Sequence, residues 1–168
     1  MLFVETDLEK IKRIADRNEN KNIRVRTFLK GKDSKKLDSI VHSLNKEISS
    51  QIDCDQCGNC CMKMVPGVGD KEIEIFSKIE NVSRDVFIEK YTEIDEYGDN
   101  RILKGIPCRY LKDKKCSVSD DRPDACKSFP HLHKPHFNSR TLNMLQLYAI
   151  CPIVFNVFER LKDEYRFR

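Results

Sequence analysis

No stretch of this 168-residue sequence approaches the ~20 uninterrupted apolar residues that a membrane helix requires. The opening, Met1-Leu2-Phe3-Val4-Glu5-Thr6-Asp7, meets its first acid after only a few apolar residues, so no secretory leader is expected. G-x-S-x-G, H-E-x-x-H, a phosphate-cradling glycine loop and the dinucleotide fingerprint are all missing, which sets aside the reaction classes that depend on them. There is no internal repeat and no low-complexity tract. A net charge of +4, with 35% charged residues, describes an ordinary soluble chain. Its length suits one domain with its own hydrophobic core, which has no need of disulfides to fold.

What the sequence does have is eight cysteines. Four are packed into Cys54-Asp55-Gln56-Cys57-Gly58-Asn59-Cys60-Cys61, and Cys108, Cys116, Cys126 and Cys151 follow singly. In a cytosolic setting, the one expected here, thiols stay reduced and clustered cysteines point to metal or redox chemistry rather than to a disulfide framework. Thiols spaced two residues apart can turn several sulfurs onto one point, as a tetrahedral metal or an iron–sulfur cluster requires.

The elements around these cysteines read as helices. Thr6 and Glu9 form a capping-box pattern before the stripe Leu8, Ile11, Ile14 and Ala15. Asn18 to Asn22 read as a break, followed by a short apolar patch at Ile23, Val25, Phe28 and Leu29. Leu37, Ile40, Val41, Leu44, Ile48 and Ile52 fall at helical spacing behind Asp33 or Ser34 as N-cap, and this helix leads directly into the cysteine cluster. Asp70 and Ser83 are placed to cap two further helices. Tyr97-Gly98-Asp99-Asn100 and Lys112-Asp113-Lys114-Lys115 look like turns between short strands. Pro123 puts Cys126 on a short turn of helix. A helix from about Thr141 to Ile150 and another from Pro152, with Val154, Val157, Phe158, Leu161 and Tyr165 inward, close the chain. The expectation is a small, mostly α, single-domain protein with one or two β-hairpins and a cysteine-rich loop core. Its parts are N-terminal helices over 1–53, a metal-binding region over 54–136 and C-terminal helices over 137–168.

The spacing Cys54-x2-Cys57-x2-Cys60 equals the first three ligands of the bacterial ferredoxin run, but Cys61 follows at once where that run has three intervening residues. Neighbouring side chains diverge in most backbone conformations, so Cys60 and Cys61 are expected to serve different sites, or different metals of one polynuclear site. One partition puts Cys54, Cys57, Cys60 and Cys151 in one centre and Cys61, Cys108, Cys116 and Cys126 in another. The plainer alternative for each lone cysteine is a buried small hydrophobe, which weighs most for Cys151 in its apolar helical stretch. Polar loops around Cys108, Cys116 and Cys126 make it weaker there. His131, His133 and His136 follow in a proline-containing loop. Imidazole is a good zinc or iron ligand, although solvated or supporting histidines are the favoured reading. His42 is expected to be exposed. Arg109 and Arg122 lie near cysteines in sequence, where a cation would lower a thiol pKa or be simply a surface charge.

These residues resemble a known family. The cluster Cys54 to Cys61, then Pro107-Cys108-Arg109-Tyr110-Leu111, Cys116-Ser117-Val118 and Arg122-Pro123-Asp124-Ala125-Cys126-Lys127-Ser128-Phe129-Pro130, are similar to the YkgJ cysteine-cluster proteins, described as zinc- or iron-chelating domains with eight characteristic cysteines. Cys151-Pro152-Ile153-Val154-Phe155-Asn156-Val157 and the helices before the cluster resemble one branch of that family, so the likeness runs over nearly the whole chain. It implies metal binding without a settled reaction. A similar cysteine pattern occurs in flagellin lysine methylases, which are associated with an iron–sulfur cluster; those enzymes are much longer, and no methyl-donor site can be read here.

The leading expectation is a cytosolic protein whose eight thiolates hold an iron–sulfur cluster, or alternatively zinc, in redox, metal-handling or sensing work. The ferredoxin-like spacing and the vicinal pair favour iron–sulfur over zinc, whose structural sites usually pair two separated CxxC knuckles. A cluster-dependent modifying enzyme, methyl transfer foremost, is the second reading. A zinc-stabilised adaptor for nucleic acid or protein ranks last. It would use Lys21, Arg24, Arg26, Lys30, Lys32, Lys35 and Lys36, a run broken only by Asp33 and more simply read as a solvated face. A protein partner fits any of these readings, and no membrane role is expected.

Overall fold

A computed structural model of the chain describes residues 4–167. Met1, Leu2 and Phe3, part of the opening read for a leader, lie outside the described residues. The fold is mostly α, with two small antiparallel hairpins, and it divides into two compact units: Met1–Asp53 with Pro130–Arg168, and Cys54–Phe129. Among the described residues, no helix is long and apolar enough to cross a membrane.

The first unit is built of α1 (Leu8–Arg17), α2 (Glu19–Lys30), α3 (Ser34–Ser49), α9 (Phe137–Tyr148) and α10 (Pro152–Glu164). Its core gathers Ile11, Val25, Leu29, Leu37, Val41, Phe137, Tyr148, Val154, Phe158 and Leu161. α10 packs on α3 and α9, and α2 on α9. Asn156, buried in α10, accepts from the Glu5 amide at 3.0 Å and donates to the Glu5 carbonyl at 2.8 Å, so the start of the described chain is fastened to the last helix. Lys162 is also buried; its Nζ meets Glu159 at 2.5 Å and the Tyr148 hydroxyl at 3.3 Å. Burial holds this lysine below the usual range and pushes the Tyr148 hydroxyl well above its own.

Three helix starts in this unit differ from expectation. Asp7, not Thr6, caps α1, accepting from Glu9 and Lys10 at 3.0 Å each. The expected break at Asn18 to Asn22 is only the junction at Asn18, because α2 begins at Glu19. Asn22 lies on the inward face with Val25 and Leu29, and tertiary burial overrides its weak helix propensity. α9 begins at Phe137 rather than near Thr141. The reason is Asp38 of α3, whose carboxylate accepts from the His136 and Phe137 amides at 2.8 Å each and serves as an N-cap supplied from another helix. Asp33 caps α3 as expected, accepting from Lys36 at 2.8 Å.

The second unit contains α4 (Cys54–Cys57), α5 (Asn59–Lys63), α6 (Asp70–Ile79), α7 (Arg84–Tyr91), β1 (Thr92–Ile94), β2 (Arg101–Leu103), β3 (Leu111–Lys112), β4 (Lys115–Cys116) and α8 (Asp124–Lys127). Val68, Ile73, Phe76, Phe87, Leu103 and Tyr110 form its core, with Phe76 stacked on Tyr110 at 4.9 Å between ring centres. Ser83 caps α7 as expected. Asp70 does not cap α6; it is the first helical residue, and Glu72 reaches back to the Gly69 amide at 3.0 Å. Val68 donates to Arg101 at 2.9 Å and Leu103 to Pro66 at 3.1 Å, so the chain leaving α5 is laced to β2. Both expected turns join paired strands, β1 to β2 and β3 to β4.

Candidate metal centre

Seven of the eight cysteines lie in the second unit, on short pieces of backbone. α4 carries Cys54 and Cys57, and α5 carries Cys60 and Cys61. Between them Gly58 turns the chain with φ 58, donating to the Cys54 carbonyl at 3.1 Å. A Cβ at Gly58 would stand 2.6 Å from the Lys114 carbonyl oxygen, so glycine is what lets this turn lie against the second hairpin. That hairpin reverses through Asp113 and Lys114, both at positive φ (48 and 64), the geometry of a tight two-residue turn, and it presents Cys116 on β4. Cys108 is fastened to the cluster by backbone: its amide donates to the Cys61 carbonyl at 2.8 Å. Cys126 sits in the single turn of α8, donating to Pro123 at 2.8 Å.

These elements bring Cys61, Cys108, Cys116 and Cys126 into one another's electrostatic field. The Arg122 guanidinium lies among them, paired with the Asp55 carboxylate, and its charge acts on Cys61, Cys116 and Cys126. The thiols respond differently. The facing Cys60 thiol, helped by Arg122, pulls Cys61 down to about 6 against the opposing effect of its burial. Burial, and then the neighbouring thiolates, push Cys126 up to about 12. Burial raises Cys108 as well.

The sulfurs of Cys60 and Cys61 lie 3.9 Å apart, which corrects the expectation that these adjacent side chains diverge. On the tight turn of α5 the two residues face the same side. A tetrahedral thiolate site with metal–sulfur bonds of ~2.3 Å has sulfurs roughly 3.8 Å apart, so this spacing is compatible with one metal touching both. Cys108 departs from expectation too: it is half-buried and packs against the Phe76 core rather than lying in a wholly polar loop. None of the eight cysteines is in a disulfide.

The remaining sequence candidates fall elsewhere. Cys151 belongs to the first unit, buried at the N-cap of α10, where its amide donates to Leu147 at 2.8 Å. His131, His133 and His136 belong to that unit as well. His136 Nδ1 lies 3.4 Å from the Ser34 hydroxyl, and burial lowers the pKa of His131. His42 is half-buried on α3. Arg109 forms an ion pair with Glu80 at 3.2 Å and lies over the Tyr91 ring at 4.1 Å, so its main partners are not thiols. Of the basic run, Arg24, Lys30, Lys35 and Lys36 are exposed, while Lys21, Arg26 and Lys32 are half-buried. The Asp55–Arg122 pair escaped sequence reasoning because the two residues are 67 positions apart. A polar hollow of ≈ 250 Å³, lined by Ile79, Ser117, Val118, Ser119, Asp120 and Asp121, adjoins β4 and contains no thiol.

As the side chains stand, no three histidine, cysteine, aspartate or glutamate groups among the described residues are gathered tightly enough to hold a metal ion. The donor chemistry nevertheless fits one: soft sulfur ligands, four of them sharing a field, with a cation beside them to offset thiolate charge. Fold and donors together define a cysteine-rich domain of the metal-chelating class. The chain belongs to the CxxCxxCC family, described as a "putative zinc- or iron-chelating domain", whose profile matches residues 53–151. No curated protein and no solved structure matches the chain.

Proposed function

We propose that this protein is a thiolate metal-centre protein in which Cys61, Cys108, Cys116 and Cys126 hold one centre. The observation that carries this reading is how the backbone sets these cysteines around one turn: the Cys108 amide donates to the Cys61 carbonyl at 2.8 Å, the Cys116 hairpin lies against Gly58, and Arg122, four residues before Cys126, pairs with Asp55. Cys54, Cys57 and Cys60 supply further thiolates from the adjoining turn. The family match extends as far as Cys151 of the first unit, whose thiol is the remaining candidate.

An iron–sulfur cluster is the leading occupant and zinc the alternative: a cluster would supply one-electron transfer, and zinc would supply structural cohesion. More thiols than one tetrahedral ion can use, together with the Cys-x2-Cys-x2-Cys run, support the cluster. The 3.9 Å separation of Cys60 and Cys61 suits a shared metal of either kind. The work done is redox, metal handling or sensing in the cytosol. A cluster-dependent transferase is the second reading; it needs an open coordination position, and the exposure of Cys54 favours one.

The deciding experiment is purification without oxygen, followed by iron, zinc and acid-labile sulfide per chain and the visible spectrum. A brown protein with iron and sulfide in similar amounts supports the cluster. A colourless protein with zinc and no sulfide replaces it by the alternative, and a chain that takes up neither metal overturns the proposal. Serine substitution of Cys61, Cys108, Cys116 or Cys126 is expected to remove metal from the same centre. A Cys151→Ser chain with undiminished metal would take Cys151 out of the ligand set.

A further inference from the structure

We propose that the first unit carries a binding surface for single-stranded nucleic acid, made by Arg24, Phe28 and Lys32 along α2 and just past it, and by Tyr165, Arg166 and Phe167 at the end of α10. It lies wholly outside the cysteine unit and does not depend on the metal-centre reading.

In sequence, Phe28 is the single aromatic of the basic run from Lys21 to Lys36. The fold supplies the others. α10 ends in a reversal: Arg166 takes a positive φ of 47 and donates to the Asp163 carbonyl at 3.0 Å, and Phe167 donates to the Lys162 carbonyl at 2.8 Å. These two bonds are a Schellman closure of the helix, and they fold the tail back on itself. Phe28 meets Tyr165 edge-on and Phe167 at a tilt, with ring centres 5.4 Å apart in each case. The backbone of Lys32 is held on both sides: its amide donates to Leu29 at 3.1 Å, and its carbonyl accepts from Asn138 at 3.3 Å. Its ammonium stands 3.9 Å from the Phe28 ring centre and 5.4 Å from that of Tyr165. Arg24, one turn before Phe28 on the same face of α2, is exposed, as is Arg166.

Charge and rings together match a nucleotide better than they match water. Among the described residues, none of Arg24, Lys32 and Arg166 is in an ion pair, and Asp33, the one acid of the run, is occupied in capping α3. Asp163 and Glu164 accompany Arg166 on the last turn of α10, but the unit as a whole holds 18 basic against 12 acidic residues. Unpaired cations bind phosphates without regard to sequence, and a base offers its π-face to an aromatic ring. An unpaired strand presents both at once, whereas a duplex keeps its bases stacked inside. On binding, the contact of Lys32 with Phe28 is exchanged: the base takes the ring face and a phosphate takes the ammonium.

The test is fluorescence anisotropy of the full chain with end-labelled U and dT strands of about 12 nucleotides, a length within the span such surfaces cover. A duplex of the same length and phosphatidylserine vesicles serve as competing anions, and salt is varied. Three phosphate contacts predict a slope of log affinity on log salt of about −2 for the single strands. Lys32→Gln with Arg166→Gln is expected to flatten that slope by about 1.4. Phe28→Leu keeps an apolar side chain and every charge, and is expected to weaken binding about 5–150-fold with the slope unchanged. Tyr165→Leu is the second variant of that kind, and a melting point equal to wild type is the folding control for each. Binding of either strand on these terms supports the surface and shows which sugar it accepts. No binding of U or dT at low salt overturns it. So does a duplex bound as tightly, a slope untouched by the charge variants, full affinity in both leucine variants, or binding to the vesicles alone. A chain that takes up no metal yet binds these strands refutes only the metal centre.

Discussion

Cys61 and Cys126 carry the same thiol, yet their surroundings send them to opposite ends of the titration range. A facing Cys60 thiol and the Arg122 cation bring Cys61 to about 6, and burial takes Cys126 to about 12. In the metal-free protein at pH 7, the Cys60–Cys61 pair is therefore expected to carry a thiolate while Cys126 keeps its proton. Iodoacetamide mapped by mass spectrometry is expected to label Cys61 well before Cys126, with Cys61 labelling lost as pH falls through about 6. Equal labelling of the two would contradict this. The same depression has a sign for stability: a free thiol titrates near ~8.5, so the support from ionised Cys61 is full above that pH and disappears as pH falls through about 6. A second residue-scale effect concerns Asp38, which accepts two backbone amides at the start of α9. Asp38→Ala leaves both donors unsatisfied and is expected to lower unfolding stability by about 1–3 kcal/mol. A urea midpoint equal to wild type would refute that assignment.

At the scale of elements, Gly58 has the sharpest consequence. Alanine there would place a methyl 2.6 Å from the Lys114 carbonyl while holding φ at 58, a region that costs a non-glycine residue roughly 1 kcal/mol or more. Gly58→Ala is expected to separate the cysteine turn from the hairpin and to reduce metal content on purification; normal metal content would show that the close approach is dispensable. The same elements show what a one-dimensional reading can and cannot recover. Periodic apolar residues revealed α3 and α10, because each carries its own inward face. The two hairpins were legible from their turn residues, since a tight reversal depends on local chemistry. The first residues of α2 and α9 were not legible: one depends on Asn22 being buried by partners distant in sequence, the other on a carboxylate lent by α3. In the candidate site, the cysteines were visible as letters, but the 3.9 Å approach of Cys60 to Cys61 and the Asp55–Arg122 tie exist only once the chain is folded.

At the scale of the molecule, the two units draw on different resources. The first has a contiguous apolar core of large side chains such as Phe137, Phe158 and Tyr148. The second has a smaller one around Phe76, and its cysteine-bearing pieces are short turns of two to five residues that bury little of their own. A metal bound there contributes folding energy where packing contributes least. Chelation is therefore expected to accelerate amide exchange around Cys54–Cys61 and Cys108–Cys126 while α3, α9 and α10 keep their protection, as read by hydrogen exchange with mass detection. Uniform protection with and without metal would contradict this.

The first unit is assembled from two separated lengths of chain, Met1–Asp53 and Pro130–Arg168, with the cysteine unit lying between them in sequence. Synthesis runs from the N-terminus at about 5–20 residues per second, so every thiol of the second unit leaves the ribosome before the helices that complete the first. For those seconds the nascent chain is an exposed sulfur-rich segment beside a half-built helical unit. The time available for loading, and for oxidation, is set by the order in which the two halves of that unit are made.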